Sequence, residues 1–393
     1  MKRILSVLTI LFILTTFLPT ITPVAAKATS AASTPAVRPA FGGDLVCLPG
    51  AYLQEPADCL PIGPSVYLTG LAKSGITIPA QPLPVKKIPA ELASIPYQYA
   101  LAVKTAIPTY SSIADAIDKN VHRTMPAGAT KYLSYSQRVV NDNGVFYQVQ
   151  TGEWVSGEDI STRVTPSTGF RGDLVTSQPR NAFGWILDTI ESSAAPGFNS
   201  PKTGRKYGRF DMVWAYAIQN VEGVDWVRIG ASEWIEDRSV GRVTLNPVPP
   251  SGVTTGRWIE VNLGEQTLSV YDQSKLVFAT LMSSGMNPFY TRPGVFQIYK
   301  KLVAEQMTGT FEADHSDYYY LENVPWTMYF DAARALHGAY WHPLFGYVYS
   351  HGCVNLSIAD ARWVFDWAKA GDTVYVWDPT GKTPLDVAAG GGP

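Results

Sequence analysis

The strongest alternation of apolar and polar residues lies in the last third of the chain, where Trp258-Ile259-Glu260-Val261-Asn262-Leu263 runs with period two. Gly264-Glu265-Gln266 breaks the pattern and Thr267-Leu268-Ser269-Val270-Tyr271 resumes it, which predicts a β-hairpin. Leu276 to Leu281 reads as a third strand. Thr291-Arg292-Pro293-Gly294 reads as a turn before a strand from Val295 to Lys301. One helix is expected in this part. Ser357 is its N-cap, Asp360 complements the first turn, and Ala361, Val364, Phe365 and Ala368 share a face. Gly371 is expected as its left-handed stop, and Thr373 to Trp377 as a closing strand.

Between about residues 95 and 245 a weaker pattern repeats after roughly eighty residues. Gly144-Val145-Phe146-Tyr147 leads to Glu153-Trp154-Val155, and Gly223-Val224-Asp225-Trp226 leads to Glu233-Trp234-Ile235. Short turns joining apolar runs in this way predict small barrels of short strands. Pro247-Val248-Pro249-Pro250-Ser251-Gly252 is stiff and poor in ladder donors, so it marks a boundary. The chain therefore reads as mainly β. The expected divisions are a linker segment at 27–94, β-rich modules at 95–168 and 169–246, a C-terminal domain at 254–378 and a tail at 379–393.

The start of the chain has the pattern of an export signal. Lys2 and Arg3 precede an uncharged run from Ile4 to Leu18, and small residues near Ala26 suit signal-peptidase cleavage of residues 1–26. An exported, wall-associated or secreted protein is expected. Of three cysteines, Cys47 and Cys59 lie close together in a Pro/Gly-rich stretch and are expected to pair in an oxidising compartment. Basic and acidic residues nearly balance at 31 and 33, which points away from nucleic acid as a partner. The 11 Trp and 21 Tyr suit both β-packing and carbohydrate contact.

Cys353 is left unpaired, with His351 two residues before it and His337 and His342 within sixteen. A thiol attacks as thiolate, and a neighbouring imidazole is the usual device that takes its proton. The Cys353 thiol is expected to be made more acidic by an imidazole or by the helix that follows. His337 and His351 both qualify as the base, although a residue two positions away along an extended backbone aims its side chain elsewhere along the same face. His337, His342, His351 and Cys353 also form a candidate zinc set, at intervals unlike familiar zinc motifs.

From about Arg257 to Trp377 the chain resembles an L,D-transpeptidase catalytic domain. The resemblance rests on the opening hairpin, Pro293-Gly294-x-Phe296, Met328-Tyr329-Phe330, His337-Gly338 and Ser350-His351-Gly352-Cys353. It implies a β-sandwich with one helix after the cysteine, and no cofactor. It also implies peptidoglycan stem peptides as substrates, with Cys353 as nucleophile and His337 as base and acid. The Gly338 carbonyl would orient His337, and the Gly352 and Cys353 N–H groups would form the oxyanion hole. His351 and Ser350 would shape the site. Tyr329, Tyr340 and Trp341 stand as cleft residues or as plain core. Asn355 occupies a position where many members carry arginine, so it offers a neutral contact in place of a bidentate fork. An L,D-carboxypeptidase would use the same residues, and a non-catalytic wall-binding protein is the other alternative. The segments before Pro247 resemble bacterial Src-homology-3-like modules, which implies contact with wall glycan.

Overall fold

The computed structural model describes residues 64–126, 130–164, 169–310 and 318–385. The expected signal segment and the Cys47–Cys59 pair lie outside them. Two large sheets organise what is described. The first has seven strands in the spatial order Val85–Lys87, Asp173–Val175, Lys275–Leu281, Thr267–Asp272, Trp258–Asn262, Thr373–Trp377 and Gly294–Gln297. The predicted hairpin is present, with Ile259 opposite Val270 and Val261 opposite Leu268. The closing strand runs parallel to Trp258–Asn262. The expected strand from Val295 to Lys301 is instead divided between Gly294–Gln297 in this sheet and Lys300–Gly309 in the other.

The second sheet has Tyr319–Asp331 near its centre. Lys300–Gly309 and Arg334–Gly338 pair with it antiparallel, and Val354–Leu356 adds parallel to Arg334–Gly338. Ile259, Val261, Leu268 and Val270 of the first sheet pack on Val324, Met328, Leu336 and Val354 of the second, and helix Ile358–Trp367 adds Ile358, Ala361 and Val364. Burying these apolar side chains is the main stabilising term, at about 1.5–3 kcal/mol for each one larger than alanine before chain entropy is set against it.

The segments before Pro247 are built into both sheets. Tyr319–Leu321 pairs in parallel with Thr130–Tyr132, and Asp173–Leu174 pairs with Phe278–Ala279. The two repeats seen in the sequence are both hairpins followed by a third strand: Thr130–Asn141, Gly144–Val149 and Trp154–Ser156 in one, and Ala217–Val221, Val224–Gly230 and Glu233–Glu236 in the other. The second repeat belongs to a five-stranded sheet. Beside it, a three-stranded sheet sends Phe183, Trp185 and Val243 against Trp258, Tyr271 and Leu281. Both faces of the hairpin are therefore covered, and even Glu260 and Asn262 are buried.

The helix starts as expected, with Ser357 Oγ accepting from the Asp360 N–H. It stops earlier than expected. Ala368 is already extended, and the Lys301 ammonium donates to the Phe365 and Ala368 carbonyls. Gly371 does have positive φ, but it lies beyond the helix and donates to Ile298 O.

Candidate active site

Parallel pairing of Arg334–Gly338 with Val354–Leu356 sets Leu336 opposite Val354 and His337 opposite Asn355. Cys353 lies in the bend immediately before Val354–Leu356, two residues ahead of Asn355. His337, Cys353 and Asn355 line one cavity of about 270 Å³, together with Trp341, Ser350 and His351. The sequence motifs thus converge on one cleft. Its remaining wall carries no local motif: Met307 and Tyr319 come from the paired strands Lys300–Gly309 and Tyr319–Asp331, and Thr130 from the first repeat.

The loop holding the nucleophile is braced from within. Ser350 Oγ donates to the Cys353 carbonyl and accepts from the Gly352 N–H at 3.1 Å. That N–H is therefore engaged inside the loop, against the expectation that it faces the oxyanion. The Gly352 carbonyl accepts from Thr291 Oγ1 at 2.9 Å, and in a trans peptide the Cys353 N–H points the opposite way. The φ of Gly352 is +112°, which favours glycine. Below the loop, Arg334 donates from Nη1 to Asp331 at 2.8 Å and from Nε to the Tyr290 carbonyl at 3.1 Å, and both charged residues are buried.

His337 is 2% exposed, and its Nδ1 lies 3.4 Å from the Gly338 carbonyl. With its proton on Nδ1 the ring keeps a lone pair on Nε2 for a proton transfer. Burial drives its pKa down to about 4, with the Gly338 contact opposing. The half-buried Cys353 thiol goes the other way. Burial pushes it up to about 11, against the Ala335 N–H and the Arg334 charge, so the expected acidification is reversed. The helix following the nucleophile begins only after strand Val354–Leu356. Thiol and imidazole therefore rest as a neutral pair.

His351 packs flat on Phe289, with ring centroids 5.0 Å apart, and lies 5.2 Å from Tyr319. Trp341 is half-buried, 5.6 Å from the His337 ring. Tyr329 is outside the cavity lining, yet its hydroxyl titrates upward through burial, with Glu305 and Cys353 adding to the rise. Tyr340 is a core residue and not a cleft residue. It is 1% exposed, stacked on Tyr99 at 3.6 Å, with its hydroxyl given to the Glu322 carbonyl at 2.8 Å. Tyr349 and Met286 also line the cleft; Tyr349 adjoins the cysteine motif in sequence, and Met286 carried no signal at all. Among the described residues no group of three or more His, Cys, Asp or Glu is placed to hold a metal.

Residues 256–376 match the family model of the YkuD L,D-transpeptidase catalytic domain. Similar solved structures include an L,D-transpeptidase from Stackebrandtia nassauensis, 28% identical over 34% of this chain and 59% of that one, with a TM-score of 0.26. A mutant L,D-transpeptidase of Enterococcus faecium is 26% identical over 31% of this chain and 50% of that one, with a TM-score of 0.29. An L,D-transpeptidase from Mycobacterium smegmatis is 16% identical over 62% of this chain and 99% of that one, with a TM-score of 0.30. The chain thus spans only about half the length of the Enterococcus faecium relative. No curated protein matches the chain.

Proposed function

Starting from the L,D-transpeptidase catalytic domain at residues 256–376, we propose that the protein is an exported peptidoglycan L,D-transpeptidase acting through Cys353. The single observation that carries this reading is the shared cleft of His337, on strand Arg334–Gly338, and Cys353, immediately before the parallel strand Val354–Leu356. The Cys353 sulfur attacks the carbonyl joining the third stem residue to its terminal D-alanine. Its proton passes to His337 Nε2 as the C–S bond forms. His337 then gives that proton to the leaving amine as the C–N bond breaks. An acceptor amine attacks the thioester, the C–S bond breaks, and the thiol is restored, leaving a cross-link between third residues.

Because the pair rests neutral, proton transfer accompanies attack and the thiolate is not stored beforehand. The Arg334 charge and the Ala335 N–H oppose the cost of developing charge on sulfur. With the Gly352 N–H engaged by Ser350, the oxyanion falls to the Cys353 N–H. Thr130 brings the first repeat to the cleft wall, which supports a role for that repeat in holding the stem peptide.

The test is intact-protein mass spectrometry of the chain incubated with a disaccharide-tetrapeptide, beside Cys353→Ala. A thioester adduct with release of D-alanine in the wild type alone supports the reading. Cross-linked dimer in the same sample identifies transfer, and free tripeptide identifies hydrolysis. A folded wild type that releases no D-alanine and carries no adduct would overturn it. Export is checked separately, by the N-terminal residue of protein recovered outside the cytoplasm.

A further inference from the structure

Behind the nucleophile two nitrogens face each other. Asn355 Nδ2 and His342 Nε2 stand 2.8 Å apart, in residues only 2% and 3% exposed. The other end of that amide, Oδ1, is buried and has no hydrogen-bond partner among the described residues. The other end of the imidazole is accounted for, since the Leu344 N–H donates to His342 Nδ1 at 3.1 Å. A backbone N–H can only donate, so Nδ1 carries the lone pair and the ring proton sits on Nε2. Burial keeps this imidazole neutral by driving its pKa down to about 3, with His337 adding to the shift.

Nε2–H is then a donor, and whatever part of the amide faces it must accept. The two ends of a primary amide have the same shape. A half-turn of the Asn355 amide brings Oδ1 to Nε2–H and carries the NH2 to the end without a partner. One exchange converts a donor facing a donor into a hydrogen bond and leaves the NH2, in place of the oxygen, as the buried end without a partner. The freed NH2 belongs to a residue that lines the same cleft as Cys353 and stands opposite His337 in register.

We infer that His342 is a positioning residue that locks Asn355 with its NH2 toward the cleft, as a hydrogen-bond donor for a carbonyl oxygen of the acyl-donor peptide. A neutral amide between two neutral imidazoles suits a carbonyl better than a carboxylate, which would ask for positive charge. The inference rests on the transpeptidase reading and assigns a donor contact within that same site.

The amide's orientation is tested without substrate. In 15N-labelled protein, long-range proton–nitrogen correlation of His342 is expected to show the proton on Nε2, and a proton on Nδ1 overturns the inference. The contact is tested with Asn355→Asp, which keeps an oxygen for Nε2–H and replaces the NH2 by oxygen. Its His342 tautomer should match wild type, its thermal midpoint should fall by the cost of burying a carboxyl, and acylation is read at about pH 9, where that carboxyl has lost its proton. Acyl-enzyme formation, normalised to iodoacetamide alkylation of Cys353 to correct for any change in the thiol, should fall about tenfold or more, the worth of one hydrogen bond. Normalised acylation within twofold of wild type overturns the contact. A wild type that accepts no acyl group from the tetrapeptide counts against the transpeptidase reading instead, while the tautomer still decides the orientation.

Discussion

Alkylation of Cys353 by iodoacetamide, followed from about pH 6 to 11, measures how firmly burial holds its thiol protonated. The thiol is pushed up to about 11, whereas an unperturbed one titrates near ~8.5. At pH 7.5 the thiolate fraction therefore drops from about one in ten to about one in three thousand, roughly 300-fold. A more basic thiolate is also a better nucleophile. With a Brønsted slope of ~0.45 over ~2.5 pKa units this recovers a factor of about 13. The net expectation is alkylation ~20-fold slower than that of a free cysteine at pH 7.5. Restricted access to the cleft slows every pH point alike, so the shape of the profile decides. The rate should climb about tenfold per pH unit and show no plateau below about pH 10. Arg334→Met, which removes the cation that opposes the shift, should slow the reaction further at neutral pH. A plateau below pH 8, or a rate above that of free cysteine, would refute the reasoning, because it would mean that a thiolate–imidazolium pair already exists.

Other consequences can be measured on the same protein. Glu322 is fully buried where the first repeat meets the catalytic sheet, accepting from the Ser134 N–H at 2.6 Å and the Tyr320 hydroxyl at 3.0 Å, and burial pushes its carboxyl up to about 7. A carboxyl whose folded pKa lies above its unfolded value of ~4.3 takes up a proton on folding. Its contribution is fully present below pH 4 and is lost as pH rises through 7, by roughly 4 kcal/mol in all. The thermal midpoint should therefore fall between pH 5 and pH 8 in the wild type and fall less in Glu322→Gln; equal falls would rule the carboxyl out as a source. Lys301→Met should cost about 1–2 kcal/mol in urea unfolding by uncapping the helix carbonyls, and an unchanged midpoint would contradict that role. An alanine Cβ at Gly285 would lie 1.9 Å from the Phe289 carbonyl oxygen and 2.8 Å from Gly352 Cα. Gly285→Ala should thus leave a folded protein whose acylation is at least about tenfold slower, and wild-type rates would show that the nucleophile loop tolerates the displacement.

Features set by neighbouring residues were legible in the sequence. The hairpin at Trp258, the third strand, the N-cap at Ser357 and the turns of the two repeats all depend on a few adjacent side chains. Ser350, His351, Cys353 and Asn355 were legible as one motif, and His337 as its companion. What failed depends on segments distant in sequence. Gly371 carries the usual mark of a helix stop, yet Lys301, from another strand, ends the helix earlier. Tyr340 follows the His-Gly pair closely enough to suggest the cleft, but its partner Tyr99, in the strand Gln98–Ala102 far upstream, draws it into the core. The thiol's shift had the wrong sign because the histidines are visible in the sequence and the burial is not. Thr130 and Met307 reach the cleft through sheet pairing alone, which no local pattern encodes.

The parallel pairing of Thr130–Tyr132 with Tyr319–Leu321 also imposes an order in time. Its two halves are separated by about 190 residues of chain, residue 130 to residue 319. At a synthesis rate of about 5–20 residues per second, the first half waits roughly 10–40 s before the second exists. During that interval the ends of its first three residues that later bond to Tyr319–Leu321 have no ladder partner, and an unpaired edge invites association with other chains. The cleft wall that Thr130 supplies thus comes together only after most of the polypeptide has been made, and formation of this site is a late, high-contact-order event.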